Sequence, residues 1–148
     1  MVRNIAGVIV GYIVMGLFIF LTFSALYLLM GTESAFKPGT YEVSGLWLVS
    51  SFLLAIIAAA LGGYACAAIA RSSKAPLALA ALVIVLGLLA AIPVLRAANQ
   101  APASRAGEVS NMEAAGKAQQ PGWVALLNPF VGAAFVLAGA RLRRRPQA

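Results

Sequence analysis

The amino-acid sequence predicts an all-α integral membrane protein, a four-transmembrane-helix antiparallel bundle with both chain termini in the cytoplasm. Three observations lead to this prediction. Of the 148 residues, 62% are hydrophobic and only 10% are charged, whereas soluble domains carry about 25% charged residues. Four long apolar runs contain no acidic or basic residue. The basic residues are concentrated in three of the segments that flank these runs.

Each apolar run is long enough to cross a bilayer as a helix, which requires about 20 residues. The predicted transmembrane helices are residues 5–30, 45–70, 75–95 and 122–140. They leave outer loops at 31–44 and 96–121, an inner turn at 71–74 and a basic tail at 141–148. The first run is too long for a cleaved signal peptide, whose apolar region spans about 7–15 residues. We therefore expect a single transmembrane domain over residues 1–148.

The distribution of charge predicts the orientation. The N-terminal segment, the inner turn and the tail together hold seven basic residues and no acidic one: Arg3, Arg71, Lys74, Arg141, Arg143, Arg144 and Arg145. The two outer loops hold equal numbers of basic and acidic residues, so the net charge of +7 lies entirely on one side. Because Lys and Arg are retained in the cytoplasm during insertion, we expect a bacterial inner-membrane protein with both termini in the cytoplasm.

Two tryptophans mark the side opposite to the basic segments. Trp47 lies at the start of the second predicted helix and Trp123 at the start of the fourth. Amphipathic rings favour the headgroup layer of the bilayer. We interpret both residues as interface anchors, with ligand binding as the alternative.

Small residues form a stripe on the second predicted helix, at spacings of three and four that place them on one helix face. Its members include Ser51, Ala55, Ala59, Gly62 and Cys66. The first helix contributes Gly7 and Gly11, and the third contributes Gly87. In lipid, close backbone approach replaces apolar burial as the attraction between helices. We expect these residues to pack helices together, either within one chain or between two copies.

Asn128 is the only strongly polar side chain well inside a predicted span, and Pro129 follows it. A proline removes one helical hydrogen bond, and lipid cannot satisfy the polar groups left over. Either Asn128 bonds to its own backbone or to a neighbouring helix, or it lines a polar cavity open to the outer face. Thr22, Ser50 and Ser51 also lie in the outer halves of their helices and could share that cavity.

The outer loops contain three local signals. The sequence Lys37-Pro38-Gly39 predicts a turn, and residues 40–43 after it are expected to be extended. In the second loop, Ser110 and Glu113 have the spacing of a capping box, which predicts that a short surface helix begins there. The short inner turn at 71–74 predicts that the second and third helices form a hairpin.

Several classes of chemistry are missing from the chain. Histidine is absent and Cys66 is the only cysteine, which removes the commonest metal ligand, the usual general base and any internal disulfide. The predicted spans hold no Asp, Glu, Lys or Arg, on which proton- or ion-coupled transport usually depends. We expect no cofactor, no metal site, no catalytic residue and no nucleic-acid binding.

The partners that remain are lipids and other membrane proteins. The tail residues Arg141, Arg143, Arg144 and Arg145 either hold the C-terminus inside or contact anionic headgroups, worth about 1 kcal/mol per residue. The leading hypothesis is a non-catalytic accessory or self-assembling subunit of a homo-oligomer or larger membrane complex. The alternative is a channel or facilitator for a neutral small solute with a polar point at Asn128. A membrane enzyme built from the loop glutamates is third.

Overall fold

The computed structural model of the chain describes residues 2–70, 72–98 and 100–144. Within these ranges the protein is all-helical, with five helices and no strand. The helices are α1 (Val2–Ala35), α2 (Gly45–Ala70), α3 (Lys74–Ala97), α4 (Asn111–Lys117) and α5 (Gly122–Arg144). All of them except α4 are long and apolar enough to cross a membrane. The predicted class, an all-helical protein with four candidate transmembrane helices, is therefore confirmed.

Two helices continue past the C-terminal ends of the predicted spans by four or more residues. The first span was expected to end at residue 30, but α1 runs on to Ala35 across a kink at Gly31, where φ is 71°. Only glycine adopts this left-handed conformation without a steric cost. The kink redirects the last turn of α1 into the loop that follows. At the other end of the chain, α5 continues beyond residue 140 to Arg144.

Glycines of α1 pack against the small residues of α2. A Cβ atom added to Gly7 would lie 2.8 Å from the Cβ of Ala70, and one added to Gly11 would lie 2.9 Å from the Cβ of Cys66. Near the C-terminal end of α2, the stripe of small residues is therefore covered by α1 of the same chain. Further along the same stripe, Ala59 is buried, while Ser51 and Ala55 are half-buried.

The closest approach between helices joins α2 to α5, and sequence reasoning missed it. A Cβ atom on Gly63 would collide with the backbone carbonyl of Val136, and one on Gly139 would collide with the carbonyl of Ala60. The two backbones therefore touch directly. The small residues of α5 do not mark one face toward α2, because Gly139 meets Ala60 of α2 whereas Gly132 meets Val83 of α3.

The third long helix packs chiefly against α5. A Cβ atom on Gly87 would lie 2.7 Å from the Cβ of Pro129, and one on Gly132 would lie 3.2 Å from a methyl group of Val83. The short turn after α2 was expected to make α2 and α3 a hairpin, yet these two helices make few contacts. The physical reason is that the glycines of α5 admit both neighbours, so α5 separates them.

The described parts of the three basic segments lie together at one end of the molecule, which we call the basic end. The guanidinium of Arg3 donates to the carbonyl of Ile69 (N···O 3.5 Å), and Arg141 shares a surface groove with Ser73. The opposite end carries the two folded loops, residues 31–44 and 100–121, which we call the cap.

The local signals in the cap are realised in the structure. Gly39 has a φ of 69°, and the amide of Thr40 closes the predicted turn on the carbonyl of Lys37 (3.2 Å). Ser110 caps α4 by accepting a hydrogen bond from the Glu113 amide (3.3 Å). The predicted turn and the predicted short helix are both confirmed.

Candidate functional site

Asn128 lines a cavity of about 240 Å³ between the four long helices, which we call the central cavity. It lies beside the contact between Gly87 and Pro129, on the cap side of the helices. The remaining lining is apolar except for Gln120, and every long helix contributes to it: Met15 and Ile19 from α1, Ala55 and Ala59 from α2, Val83 and Ala90 from α3, and Ala125 and Gly132 from α5.

The side-chain amide of Asn128 faces this cavity. No hydrogen bond joins it to any residue in the part of the chain that the structure describes. In the same part of the chain, no fully enclosed side-chain polar atom lacks a partner. The half-buried amide therefore keeps accessible surface, and the central cavity provides it. A neutral group that offers both a donor and an acceptor is thus available to a molecule in the cavity.

The hydroxyl groups expected beside Asn128 are not brought to it. Thr22 donates to the carbonyl of Phe18 on its own helix (2.6 Å), and Ser51 donates to the carbonyl of Leu48 (3.2 Å). Both bonds follow the local pattern that short hydroxyl side chains adopt in helices. Ser50 is half-buried and, like the other two, does not line the cavity.

Gln120 is the second polar residue of the central cavity, and sequence reasoning missed it. It comes from the loop that leads into α5, just before Pro121. Its position depends on how the cap folds back over the helices. The backbone N–H of the neighbouring Gln119 donates to the carbonyl of Tyr41 (2.8 Å) in the other loop, and the carbonyl of Gln119 accepts from the N–H of Val43 (3.0 Å). No local pattern in the sequence predicts that closure.

The central cavity is closed toward the basic end. Met15, Leu79 and Val136 are buried there, and a Cβ atom on Gly11 would lie 2.8 Å from a methyl group of Leu79. The helices therefore fill the space between them in this half and leave it open in the half next to the cap.

A second cavity of about 480 Å³ adjoins the first beneath α4, and we call it the aromatic pocket. Five rings line it: Phe20, Phe23, Tyr27, Phe36 and Trp47. Ile19 and Gln120 line both cavities. The two spaces are therefore neighbours that share one wall.

The two predicted interface anchors occupy different surroundings, although both lie at the cap end. Trp47 is half-buried and makes edge-to-face contacts with Phe23 and Tyr27, at centroid distances of 6.0 and 6.2 Å. Trp123 is 64% exposed and lines neither cavity. The ring of Trp47 is thus part of a wall, whereas that of Trp123 lies on the surface.

Arg105 is the most deeply buried charge in the described part of the cap, with a side chain only 1% exposed. Its guanidinium donates to Glu33 (3.0 Å) and to the carbonyls of Thr40 (3.2 Å) and Gly107, and it lies 5.9 Å from the ring centre of Phe36. Charge-assisted hydrogen bonds of this kind are stronger than neutral ones. Arg105 therefore fastens the two loops to each other.

Tyrosine hydroxyls attach the second loop to α1 and to the first loop. The hydroxyl of Tyr27 donates to the carbonyl of Val109 (2.7 Å) and lies 2.9 Å from the hydroxyl of Thr32. The hydroxyl of Tyr41 donates to Glu113 of α4 (2.6 Å), which also accepts from Lys117 (2.9 Å). The cap is therefore an ordered layer that holds α4 against α1.

The hydrogen-bonded group around Glu113 has shifted acidities. The bond from Tyr41, followed by that from Lys117, lowers the pKa of the Glu113 carboxyl, because both stabilise its charged form. The same bond raises the pKa of the Tyr41 hydroxyl, and the contact with Glu113 raises the pKa of the Lys117 ammonium. Glu113 is thus ionised and paired at neutral pH.

The loop glutamates do not gather into a reactive cluster. Glu33, Glu42 and Glu113 each pair with a different basic residue, and no group of three metal-ligating side chains occurs among the residues with described positions. In the basic tail, Arg141 and Arg143 are exposed on α5 and Arg144 ends that helix, while Arg145 lies outside the described residues.

Comparisons with known proteins give no relative. No protein-family model, no curated protein and no solved structure matches the chain. The site must therefore be interpreted from its own geometry.

Replacing Arg105 by methionine should destabilise the cap, since Glu33 and two loop carbonyls lose a charged donor, and a hydrogen bond to a charged group contributes about 1.5–3 kcal/mol. Hydrogen exchange at the backbone amides of α4 measures the effect, and it should be faster in the variant than in the wild-type protein. Arg96→Met is the matched control, because Arg96 is exposed at the end of α3. Equal exchange in the two variants would contradict the role assigned to Arg105.

Proposed function

We propose that the four long helices form an antiparallel bundle in a bacterial inner membrane, with both termini in the cytoplasm. The pairing of Gly7 with Ala70 at one end and of Phe23 with Trp47 at the other supports opposite directions for α1 and α2. The gathering of basic residues at one end supports the orientation, since that end is retained in the cytoplasm. Exposed Arg141 and Arg143 would there meet anionic headgroups.

A reporter fused after Ala148 tests the orientation. An alkaline phosphatase fusion is expected to be inactive and a green fluorescent protein fusion to be fluorescent, because only the second folds in the cytoplasm. The reverse pattern would overturn the proposed topology, and with it the assignment of the cap to the outer face.

We propose further that the protein is a non-catalytic binding protein for a neutral small molecule, held within the membrane by Asn128. The observation behind this proposal is the amide that faces the central cavity without a partner among the described residues. A polar group placed in a membrane without a partner is costly, and a ligand with a hydroxyl or carbonyl group would offset that cost. Because the cavity is closed toward the basic end, binding is favoured over conduction through the bundle.

The accessory-subunit hypothesis is less well supported by the geometry. That hypothesis rests mainly on the stripe of small residues, and the glycines of α1 cover part of that stripe within the chain, at Gly62 and Cys66. The same contacts leave little of it for a second copy. Self-association and membership of a larger complex stay predictions.

Asn128→Leu should separate binding from folding. Without ligand, the variant is expected to unfold at a higher temperature, because removing an unpaired amide from an apolar site relieves about 1 kcal/mol. With 1-octanol as the probe, stabilisation of the wild-type protein should grow with concentration, reaching about 2.7 kcal/mol at a hundredfold excess over Kd. The variant should lose most of that stabilisation. Thermal unfolding in detergent micelles measures both effects.

Thr22→Val is the matched control, since Thr22 is also polar and lies in a span but bonds to its own helix. It should leave the stabilisation by octanol unchanged. Equal stabilisation of the wild-type protein and Asn128→Leu would refute the proposed site. A less stable Asn128→Leu protein without ligand would show that the amide has a structural partner instead.

A further inference from the structure

The central cavity and the aromatic pocket form one elongated space. They share Ile19 and Gln120 as wall residues, so a molecule longer than either cavity can extend from one into the other. Cavities of 240 and 480 Å³ together fall in the range of about 300–1,000 Å³ that is typical of ligand pockets. Asn128 lies in the central-cavity part of this space, and Met15, Val83 and Gly132 line it about one turn closer to the basic end.

The outer end of the space opens on the side of the molecule, between α1 and α4. Phe20 of α1 and Met112 of α4 line the aromatic pocket and are 62% and 77% exposed. The amide of Asn111 donates to the hydroxyl of Ser24 (3.0 Å), which holds α4 beside this opening. Apolar side chains at such an opening face lipid in a membrane, so the pocket is continuous with the bilayer.

The lining determines the charge and shape of the molecule that fits. Neither cavity is lined by an acidic or basic residue, and the only ionisable group, the Tyr27 hydroxyl, already donates to Val109. An ionic head would therefore be desolvated without a counter-charge, at a cost of several kcal/mol. Neutral amides at Asn128 and Gln120 suit a hydroxyl or carbonyl group, and the aromatic rings suit a hydrocarbon chain.

We infer that the ligand is a neutral single-chain lipid that enters sideways from the bilayer. Its hydroxyl or carbonyl head binds Asn128, and its chain lies in the aromatic pocket and leaves the protein past Phe20 and Met112. This inference rests on the proposed binding function, because it uses the same polar side chain, that of Asn128. It adds the ligand class and the path of access.

The two tryptophans make the path measurable by fluorescence. Trp47 lines the aromatic pocket, whereas Trp123 lies on the surface. The Trp123→Phe protein therefore reports on the pocket alone, and the Trp47→Phe protein reports on the surrounding micelle. The probe is a stearyl alcohol brominated in mid-chain, whose bromine atoms quench a tryptophan on contact. The corresponding brominated carboxylate, in its ionised form, is the charged control.

In the Trp123→Phe protein, the brominated alcohol should quench emission saturably at one equivalent, and the unbrominated alcohol should reverse the quenching. Asn128→Leu should raise the alcohol concentration at half-saturation about tenfold, which corresponds to the loss of roughly one hydrogen bond. The Trp47→Phe protein and the brominated carboxylate should show only the gradual, non-saturating quenching that comes from the micelle.

The two proposals fail in different ways. If octanol stabilises the protein through Asn128 but the emission of Trp47 falls only gradually, the lipid ligand and the lateral path are wrong and the binding site stands. If the carboxylate quenches as saturably as the alcohol, the neutral class is wrong. Absence of both the octanol effect and saturable quenching would overturn the binding function together with this inference.

Discussion

The helices are organised around the close backbone approach of α2 to α5 at Gly63 and Gly139. In lipid, burying apolar side chains gives little net attraction between helices, so dispersion across a close backbone contact has to replace it. This contact fixes α5 on one side of α2, while Gly7 and Gly11 fix α1 against the small-residue stripe. With α3 held against Pro129, the four long helices enclose the central cavity between them.

The cap converts that space into a defined site. Its loops are long and contain much Ala and Gly, which by themselves would not order them. A desolvated guanidinium at Arg105, two tyrosine hydroxyls and the capped start of α4 supply the missing constraints. Because α4 is thereby held beside α1, it covers the aromatic pocket, which adjoins the central cavity. The polar chemistry of the protein is thus divided: three ion pairs lie in the cap, and the neutral side-chain amide of Asn128 faces the central cavity.

Much of the fold could be predicted from local patterns. Apolar run length identified the helices, and the spacing of Ser110 and Glu113 identified α4, because both signals act within a few residues. The contacts that build the site are different in kind. Arg105 and Glu33 are 72 residues apart in the chain and meet only after the loops close, and Arg105 looks like any other loop charge in the sequence. Gln120 depends on the same closure. Hydroxyls such as Thr22 failed to join the site because a carbonyl of their own helix was nearer.

If close backbone contact organises the helices, two glycine substitutions should have opposite effects on stability. Alanine normally stabilises a helix by about 0.5–1 kcal/mol relative to glycine. A Cβ atom added to Gly16 would meet no neighbouring helix within 4 Å, whereas one added to Gly139 would meet the backbone of Ala60. The free energy of unfolding in mixed detergent micelles should therefore stay equal or rise for Gly16→Ala and fall by about 1–3 kcal/mol for Gly139→Ala, as expected for overpacking. Equal stabilisation by both substitutions would contradict the account.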